Sequence, residues 1–364
     1  MPPSPIPSGE NLVSVIIPAF NAQAWLPITL DSVCLQTFKD IEVIVVDDGS
    51  SDDTAEIARK YSLTDERVRL IRLKNSGVGA ARNAGIRAAR GKYIAPIDAD
   101  DLWHPRKLEL QVECLEEGGE EMGFAYCWSE KVDGKGRLIT GSFPFQNEGW
   151  VRLALIHRNF VGSGSNPLFR ASALRRTGLY LTREAQGGVQ GCEDWDLSLR
   201  LSECYKVGLV RRSLVGYRQL AGCMSLDASA MSRSYEIVMA RARKRMPDVP
   251  AKIFRWSAGN FYSYLVAKCY VWGDYEGCLR SIAKAVLADP LLLGNRRFYS
   301  MGLKSLVRHV TGTKGRRHLA VIASQERGEV GQEEMAKGGA SWLENHQLKR
   351  WAAILAADQP PGRT

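Results

Sequence analysis

Four short apolar runs, each closed by acid, glycine or proline and followed by a helical pattern, govern what this chain can fold into. Val13–Ile17 stops at Pro18, and Glu42–Val46 runs into Asp47-Asp48-Gly49-Ser50-Ser51. Val68–Leu73 precedes Gly77-Val78-Gly79-Ala80-Ala81-Arg82-Asn83, and Tyr93–Ile97 ends in Asp98-Ala99-Asp100-Asp101. Between the first two runs, Trp25, Leu26, Leu30, Val33 and Cys34 recur at helical spacing, with Asn21 placed to cap that helix. Asp52 and Asp53 open a second helix through Tyr61, and an Ala-rich third runs to Arg90. This alternation predicts a mostly parallel sheet wound with helices, its strands buried on both faces. Ligands of such sheets bind outside the carboxyl ends of the strands, which is where the acids stand.

Beyond a helix at Pro105–Glu117 the rhythm changes. Phe124–Trp128 and Leu138–Phe143, joined through Asp133-Gly134-Lys135-Gly136, predict a hairpin. A Gly/Ser/Asn-rich passage at Gly162–Asn166 leads to a short strand at Pro167–Arg170, and Glu184–Gly191 predicts a loop. A helix follows with Glu193, Asp194 and Asp196 in its first turn, where acid suits the helix dipole. Val207–Tyr217 is the last expected strand, and from Met231 the pattern is helical. Ala267, Tyr270, Gly273, Tyr275, Ala283, Ala285 and Pro290 sit as in one tetratricopeptide-like helical hairpin; a solenoid needs about three such repeats. The expected organisation is a disordered lead-in at 1–11, an α/β domain at 12–225, a helical region at 226–312 and a partly disordered tail at 313–364. That tail includes a weak amphipathic piece near Trp342–Leu355.

Composition narrows the class. The eight cysteines are scattered without a Cys-x-x-Cys pair, and the five histidines are dispersed, which points away from zinc and toward a reducing cytosol. MPPSPIPSGENL has neither the basic nor the apolar region of a signal peptide, and no stretch reaches the apolar length of a membrane span. The net charge of +9 is uneven: −4 over residues 1–200 and +13 over 201–364. The basic half suits an anionic membrane surface or a phosphorylated acceptor, and equally a solvated helical face.

The strand-end loops offer what a sugar nucleotide needs. Asp48 can accept a hydrogen bond from a base imide, with the Pro18-Ala19-Phe20 backbone at another edge and the Phe20 ring at the base face. The Gly77/Gly79 turn can approach a ribose or diphosphate closely, with Arg82 beside it. Gly-x-Gly by itself is a weak signal, and the longer dinucleotide motif is absent. Asp98 and Asp100 can hold ribose hydroxyls and a divalent cation, since crowded carboxylates call for neutralisation and hard oxygens suit Mg²⁺ or Mn²⁺. The same Asp run also reads as an ordinary turn capping the next helix. Asp47 reads as a structural turn acid.

VSVIIPAFN, VIVVDDGSSDDT, NSGVGAARNAGI, YIAPIDADDLWHPRKLELQ and CEDWDLSLRL follow in the order typical of the family 2 glycosyltransferases, which this chain resembles over residues 12–220. The resemblance is to bacterial-type, non-processive members, inverting enzymes with the GT-A fold. It implies that Asp48 reads the nucleobase, Asp98 touches the ribose region, Asp100 binds Mg²⁺ or Mn²⁺, Asp194 is the general base and Glu193 positions the acceptor. Pro18, Ala19, Phe20, Gly79, Arg82 and Ala99 complete the implied nucleotide-sugar site. The implied partners are a nucleotide-diphosphate sugar, UDP or dTDP before GDP, and a glycan or lipid-linked acceptor. A cytoplasmic place is expected, with peripheral contact to an anionic membrane at the inner face and no nucleic-acid partner.

The chain departs from the family pattern at Tyr217-Arg218-Gln219-Leu220-Ala221-Gly222, where many relatives carry His at the position of Leu220. Within residues 12–220 it shows no Gln-x-x-Arg-Trp motif of processive synthases; that string occurs once, at Gln347-Leu348-Lys349-Arg350-Trp351 in the tail. The expected enzyme therefore adds one sugar or a few. Two other classes remain to be distinguished: a nucleotide-sugar-binding scaffold acting through its helical region, and a nucleotidyltransferase. The last is disfavoured because Ile17–Asn21 carries no basic, Gly-rich signature.

Overall fold

A computed structural model of the chain describes residues 12–140, 144–220, 223–311, 350, 353, 354, 357 and 358. The chain forms two compact units, crossing between them at 150/151, 159/160 and 219/220.

The first unit opens with β1 (Val13–Ala19), α1 (Leu26–Cys34), β2 (Ile41–Asp47), α2 (Thr54–Thr64), β3 (Val68–Arg72), α3 (Val78–Ala88) and β4 (Tyr93–Pro96). Then come β5 (Leu102–Trp103), α4 (Lys107–Gly118), β6 (Met122–Val132) and β7 (Leu138–Thr140). After α5 (Arg152–His157), which belongs to the second unit, it resumes with β8 (Leu168–Arg170), α6 (Ala171–Thr177), α7 (Glu193–Ser202) and β9 (Lys206–Arg218). One sheet runs in the order β3-β2-β1-β4-β8-β6-β9-β5, with β7 paired to β6. The chain winds outward from β1 through β2 to β3, then returns to place β4 on the other side of β1, parallel to it. That reversal is a topological switch point, and it opens a crevice at the carboxyl ends of β1, β2 and β4.

Burial explains the strand composition. Every residue of β1 and β2 is buried. Val13, Val15 and Ile17 face a core shared with Leu26, Leu30 and Val33 of α1 and Leu108, Val112 and Leu115 of α4. Ile16 turns to the opposite face, where a Cβ added at Gly85 of α3 would meet it at 2.5 Å and Val46 at 3.2 Å. The small residues of α3 thus let that helix lie close on the sheet.

The predicted elements of this unit are present, with two additions and one correction. The additions are β5, too short at two residues to show a period, and α6. Pairing of β5 with β9 pins the segment directly after Asp101. The correction concerns Asn21, which caps no helix. It takes a left-handed φ of 49°, and its side-chain oxygen accepts the Ser51 N–H at 2.9 Å, stapling the β1 loop to the β2 loop. Helix α1 begins only at Leu26, after Trp25, with Pro27 in its first turn. A proline in the first helical turn removes one of the donors that a cap would otherwise have to satisfy. In the predicted hairpin, residues 141–143 lie outside the described residues.

The second unit gathers α5 with α8 (Ala228–Arg245), α9 (Ala251–Trp272), α10 (Tyr275–Ala288) and α11 (Arg296–Val310). Helices α9 and α10 form a hairpin that turns at Gly273, left-handed at φ 80°, and restarts where Asp274 accepts the Gly277 N–H. Tyr235 of α8 stacks on Phe261 of α9, the ring centres 4.0 Å apart. The Asp358 carboxylate accepts the Leu153 and Ala154 N–H groups at 2.9 Å each, satisfying the free donors of the α5 amino end. The lead-in 1–11, Ala221, Gly222 and the basic residues Lys314, Arg316 and Arg317 lie outside the described residues. So does most of the predicted 313–364 tail, including Trp342. No helix among the described residues is long and apolar enough to cross a membrane.

Candidate active site

The Asp98–Asp101 turn stands in the switch-point crevice and sorts its three acids by burial. Thr29 of α1 holds it from beneath, its hydroxyl 2.9 Å from both the Ala99 and the Asp101 carbonyl oxygens. The Asp98 N–H donates to Ser165 Oγ, and Ser165 Oγ donates in turn to Asp101. The other Asp101 oxygen accepts the Arg218 N–H at 2.9 Å. Asp101 is wholly buried, and desolvation with its two acidic neighbours pushes its carboxyl well above the ordinary range. It is an internal strut.

Asp98 and Asp100 are both partly exposed, and Asp98 pairs with Arg82. Burial, and then Asp98, push the Asp100 carboxyl up to about 6. Among the described residues no side chain donates a hydrogen bond to it. Arg218, the nearest cation acting on it, spends its Nε on the Asp100 backbone carbonyl at 2.6 Å. Its Nη1 goes to the carbonyls of Asp133 and Gly134. A desolvated carboxylate with an acidic neighbour and no cation of its own fits a divalent ion, which is commonly held by one or two carboxylates plus substrate phosphates. No group of three His, Cys, Asp or Glu side chains among the described residues encloses a metal by itself.

Across the crevice, α7 begins at Glu193. Asp194 is partly exposed there, and its Oδ1 accepts the Trp195 N–H at 2.7 Å. Desolvation and then Glu193 push its carboxyl up to about 7. A carboxylate so placed holds a proton near neutrality, which a general base must be able to do.

Four of the expected site residues also have partners or packing contacts within the protein. Asp48 is 3% exposed, and its two oxygens accept the Ser76 and Gly77 N–H groups at 2.8 Å each, so it shapes the β3–α3 loop. Arg82 is equally buried and carries Asp98 and Glu193 on its two terminal guanidinium nitrogens. Glu193 is buried, one oxygen paired with Arg82 and the other accepting the Gly191 N–H. Gly79 is a packing glycine: a Cβ there would lie 2.2 Å from the Leu181 carbonyl oxygen. Gly79→Ala is therefore expected to cost about 1–3 kcal/mol of stability through overpacking, read as a lower urea midpoint at unchanged slope. An alanine variant as stable as the parent would remove this account.

Pro18 and Ala19 close β1, and Ala99 lies in the turn after β4. The Ala19 carbonyl accepts the Asp48 N–H at 2.8 Å, and the Phe20 ring is 53% exposed beside them. Asp47 is structural as read, salt-bridged to Arg72 at 3.1 Å. Sequence reasoning missed Thr29, Ser165 and Arg218 as supports of the acidic turn. Ser165 stood in a run read only as loop, and Arg218 in the motif examined for its missing His.

Comparison with known proteins agrees with this geometry. The model of glycosyl transferase family 2 matches residues 14–178. An uncharacterized glycosyltransferase of Rickettsia prowazekii is 38% identical over 306 residues, 81% of this chain and 90% of that protein. Chondroitin synthase of Escherichia coli is 34% identical over 196 residues, 53% of this chain but only 26% of the synthase, so the chain spans about a quarter of that relative. TarS 1-349 of S. aureus, solved in complex with UDP-GlcNAc, superposes with a TM-score of 0.59 at 19% identity, over 82% of this chain and 92% of that one. The mostly parallel sheet with its switch point is the fold this chain shares with TarS, the GT-A fold. The chain belongs to glycosyltransferase family 2.

Proposed function

We propose that this enzyme inverts: it transfers a sugar from a nucleotide-diphosphate donor to a hydroxyl of a glycan or lipid-linked acceptor. The observation that carries the reading is Asp194, a partly exposed carboxyl pushed up to about 7, on α7 across from the Asp98–Asp100 turn. In one in-line displacement, the acceptor O–H gives its proton to Asp194 while its oxygen bonds to the anomeric carbon. The bond from that carbon to the diphosphate oxygen breaks, and the nucleoside diphosphate leaves with the electron pair. Water needs no activation, and a second carboxylate as nucleophile is not required. Asp100 would hold a divalent cation, which when bound supplies positive charge against the leaving diphosphate. Ser165, Thr29 and Arg218 keep the Asp100 turn in place from below.

A uridine or deoxythymidine diphosphate donor is proposed before a guanosine one. TarS, which shares the fold, was crystallised with UDP-GlcNAc, and this supports the order; the exposed Phe20 ring offers a stacking face to either base. A panel of sugar nucleotides, varied in base and sugar and assayed for released nucleoside diphosphate with glycan and lipid-linked acceptors, tests both statements. Release that requires acceptor and is fastest with a uridine or deoxythymidine donor is expected. Release from no donor would overturn the transferase reading, and a clear GDP preference would reverse the base assignment.

A further inference from the structure

The mechanism above leaves Arg82 without a task, although it is 3% exposed beside the site. Its Nη2 lies 2.5 Å from Asp98 Oδ1, and its Nη1 lies 3.0 Å from Glu193 Oε1. The guanidinium carbon sits 5.1 Å from the centre of the Tyr180 ring. Room for it depends on Gly164, where an added Cβ would come within 2.6 Å of Nη2. The next residue of α3, Asn83, gives its Nδ2–H to the Tyr180 carbonyl and accepts the Tyr180 N–H, both at 2.9 Å. One turn of α3 therefore holds the stem leading to α7, and through Arg82 it holds both Asp98 and the residue before Asp194.

We infer that Arg82 is a positioning residue that sets Asp194 against the donor-side turn, its planar guanidinium spacing Asp98 from Glu193. The inference rests on the reading of Asp194 as base. A guanidinium offers two donors in a fixed fork, so it can fix the separation of two carboxylates that would otherwise repel; an ammonium is a point charge and can serve only one well. Glu193, with its other oxygen on the Gly191 N–H, cannot turn away without dragging the first turn of α7. The arrangement also sets the field at Asp194. The charged and titratable groups facing it are Glu193 on its own helix, Arg82 of α3, Asp98 at the end of β4, and Tyr180. Glu193 and Asp98 raise its proton affinity, and Arg82 lowers it.

The test compares R82K, R82M, E193Q and R82M/E193Q for kcat, donor KM, acceptor KM and the pH dependence of kcat, with UDP binding by calorimetry as a check on the fold. R82K keeps the charge and loses the fork; it is expected to lower kcat by about 100-fold, the scale of a 1 Å misplacement, with UDP affinity within a few-fold of the parent. R82M is expected to move the acid limb of kcat upward by about one unit, and E193Q to move it downward, because each removes a charge of opposite sign. The double variant is expected to recover part of the R82M loss, since it no longer buries an unpaired carboxylate. Equal losses in R82K and R82M with an unmoved acid limb and additive effects would reduce Arg82 to a structural residue and overturn the inference. If R82M does not fold, R82K and E193Q still decide: a full-rate R82K, or an E193Q limb that stays in place, overturns it. Failure of the base assignment is separable, because it would appear as normal turnover in an Asp194 variant of the otherwise unaltered enzyme.

Discussion

Asparagine at position 194 is expected to lower kcat by ~10²–10⁴-fold, the usual worth of general-base catalysis, or about 3–5 kcal/mol of barrier. Donor binding should stay near that of the parent, because Asp194 takes a proton from the acceptor and touches no part of the nucleotide in this mechanism. Asn keeps the shape, and its side-chain oxygen can still accept the Trp195 N–H, so the first turn of α7 survives the change. The pH dependence carries a sign. The base acts only when deprotonated, and burial together with Glu193 pushes its carboxyl up to about 7, so kcat of the parent should fall as pH drops through about 7. An ordinary aspartate would hold its activity about three units further down. Steady-state kinetics between pH 5 and 9, with calorimetry of UDP binding, check both statements. Normal turnover in the Asn variant would remove Asp194 from the chemistry.

The second large effect is expected at Asp100. Excess chelator should abolish most turnover, added Mg²⁺ or Mn²⁺ should restore it, and Asp100→Asn should lose most activity whether or not metal is added. The reason is electrostatic: the Asp100 carboxylate is desolvated, has Asp98 beside it and receives no side-chain hydrogen bond among the described residues. Removing its charge gives up the attraction of Arg218 but relieves desolvation and the repulsion of Asp98, so the variant should melt no lower than the parent, while a cation loses its protein ligand. Asp101→Asn is the contrasting change. That carboxylate is buried between Ser165 and the Arg218 N–H, and Asn places an NH₂ against one of the two donors. It should destabilise by about 1–3 kcal/mol, the cost of an unsatisfied buried group. Full turnover in excess chelator would end the metal assignment.

The order of strands and helices in the first unit was legible because each run carries its own period and its own stop. Val13–Ile17 and Glu42–Val46 are apolar throughout since both faces of their strands are covered, and the acids that follow mark the carboxyl ends where the crevice opens. The motif order was likewise written in the chain, and it led to the family that the comparisons show. Local sequence could place Asp98, Asp100 and Asp194 at the ends of their elements, because those ends are set by short-range patterning.

Tertiary structure alone decided what each side chain does there. Asp47 and Asp48 are adjacent acids, yet one pairs with Arg72 and the other closes the Gly77 loop, because their partners lie 25 to 29 residues away. Arg82 reads as a phosphate ligand beside a glycine turn, and the fold brings Glu193 to it, 111 residues along the chain. Asp101 turned inward because Ser165 and Arg218 arrive from other strands and loops to satisfy it. A sequence shows which residues can bear charge. Whether that charge is spent on the protein or left for a substrate depends on partners distant in the chain, and on the cost of burying a carboxylate without them.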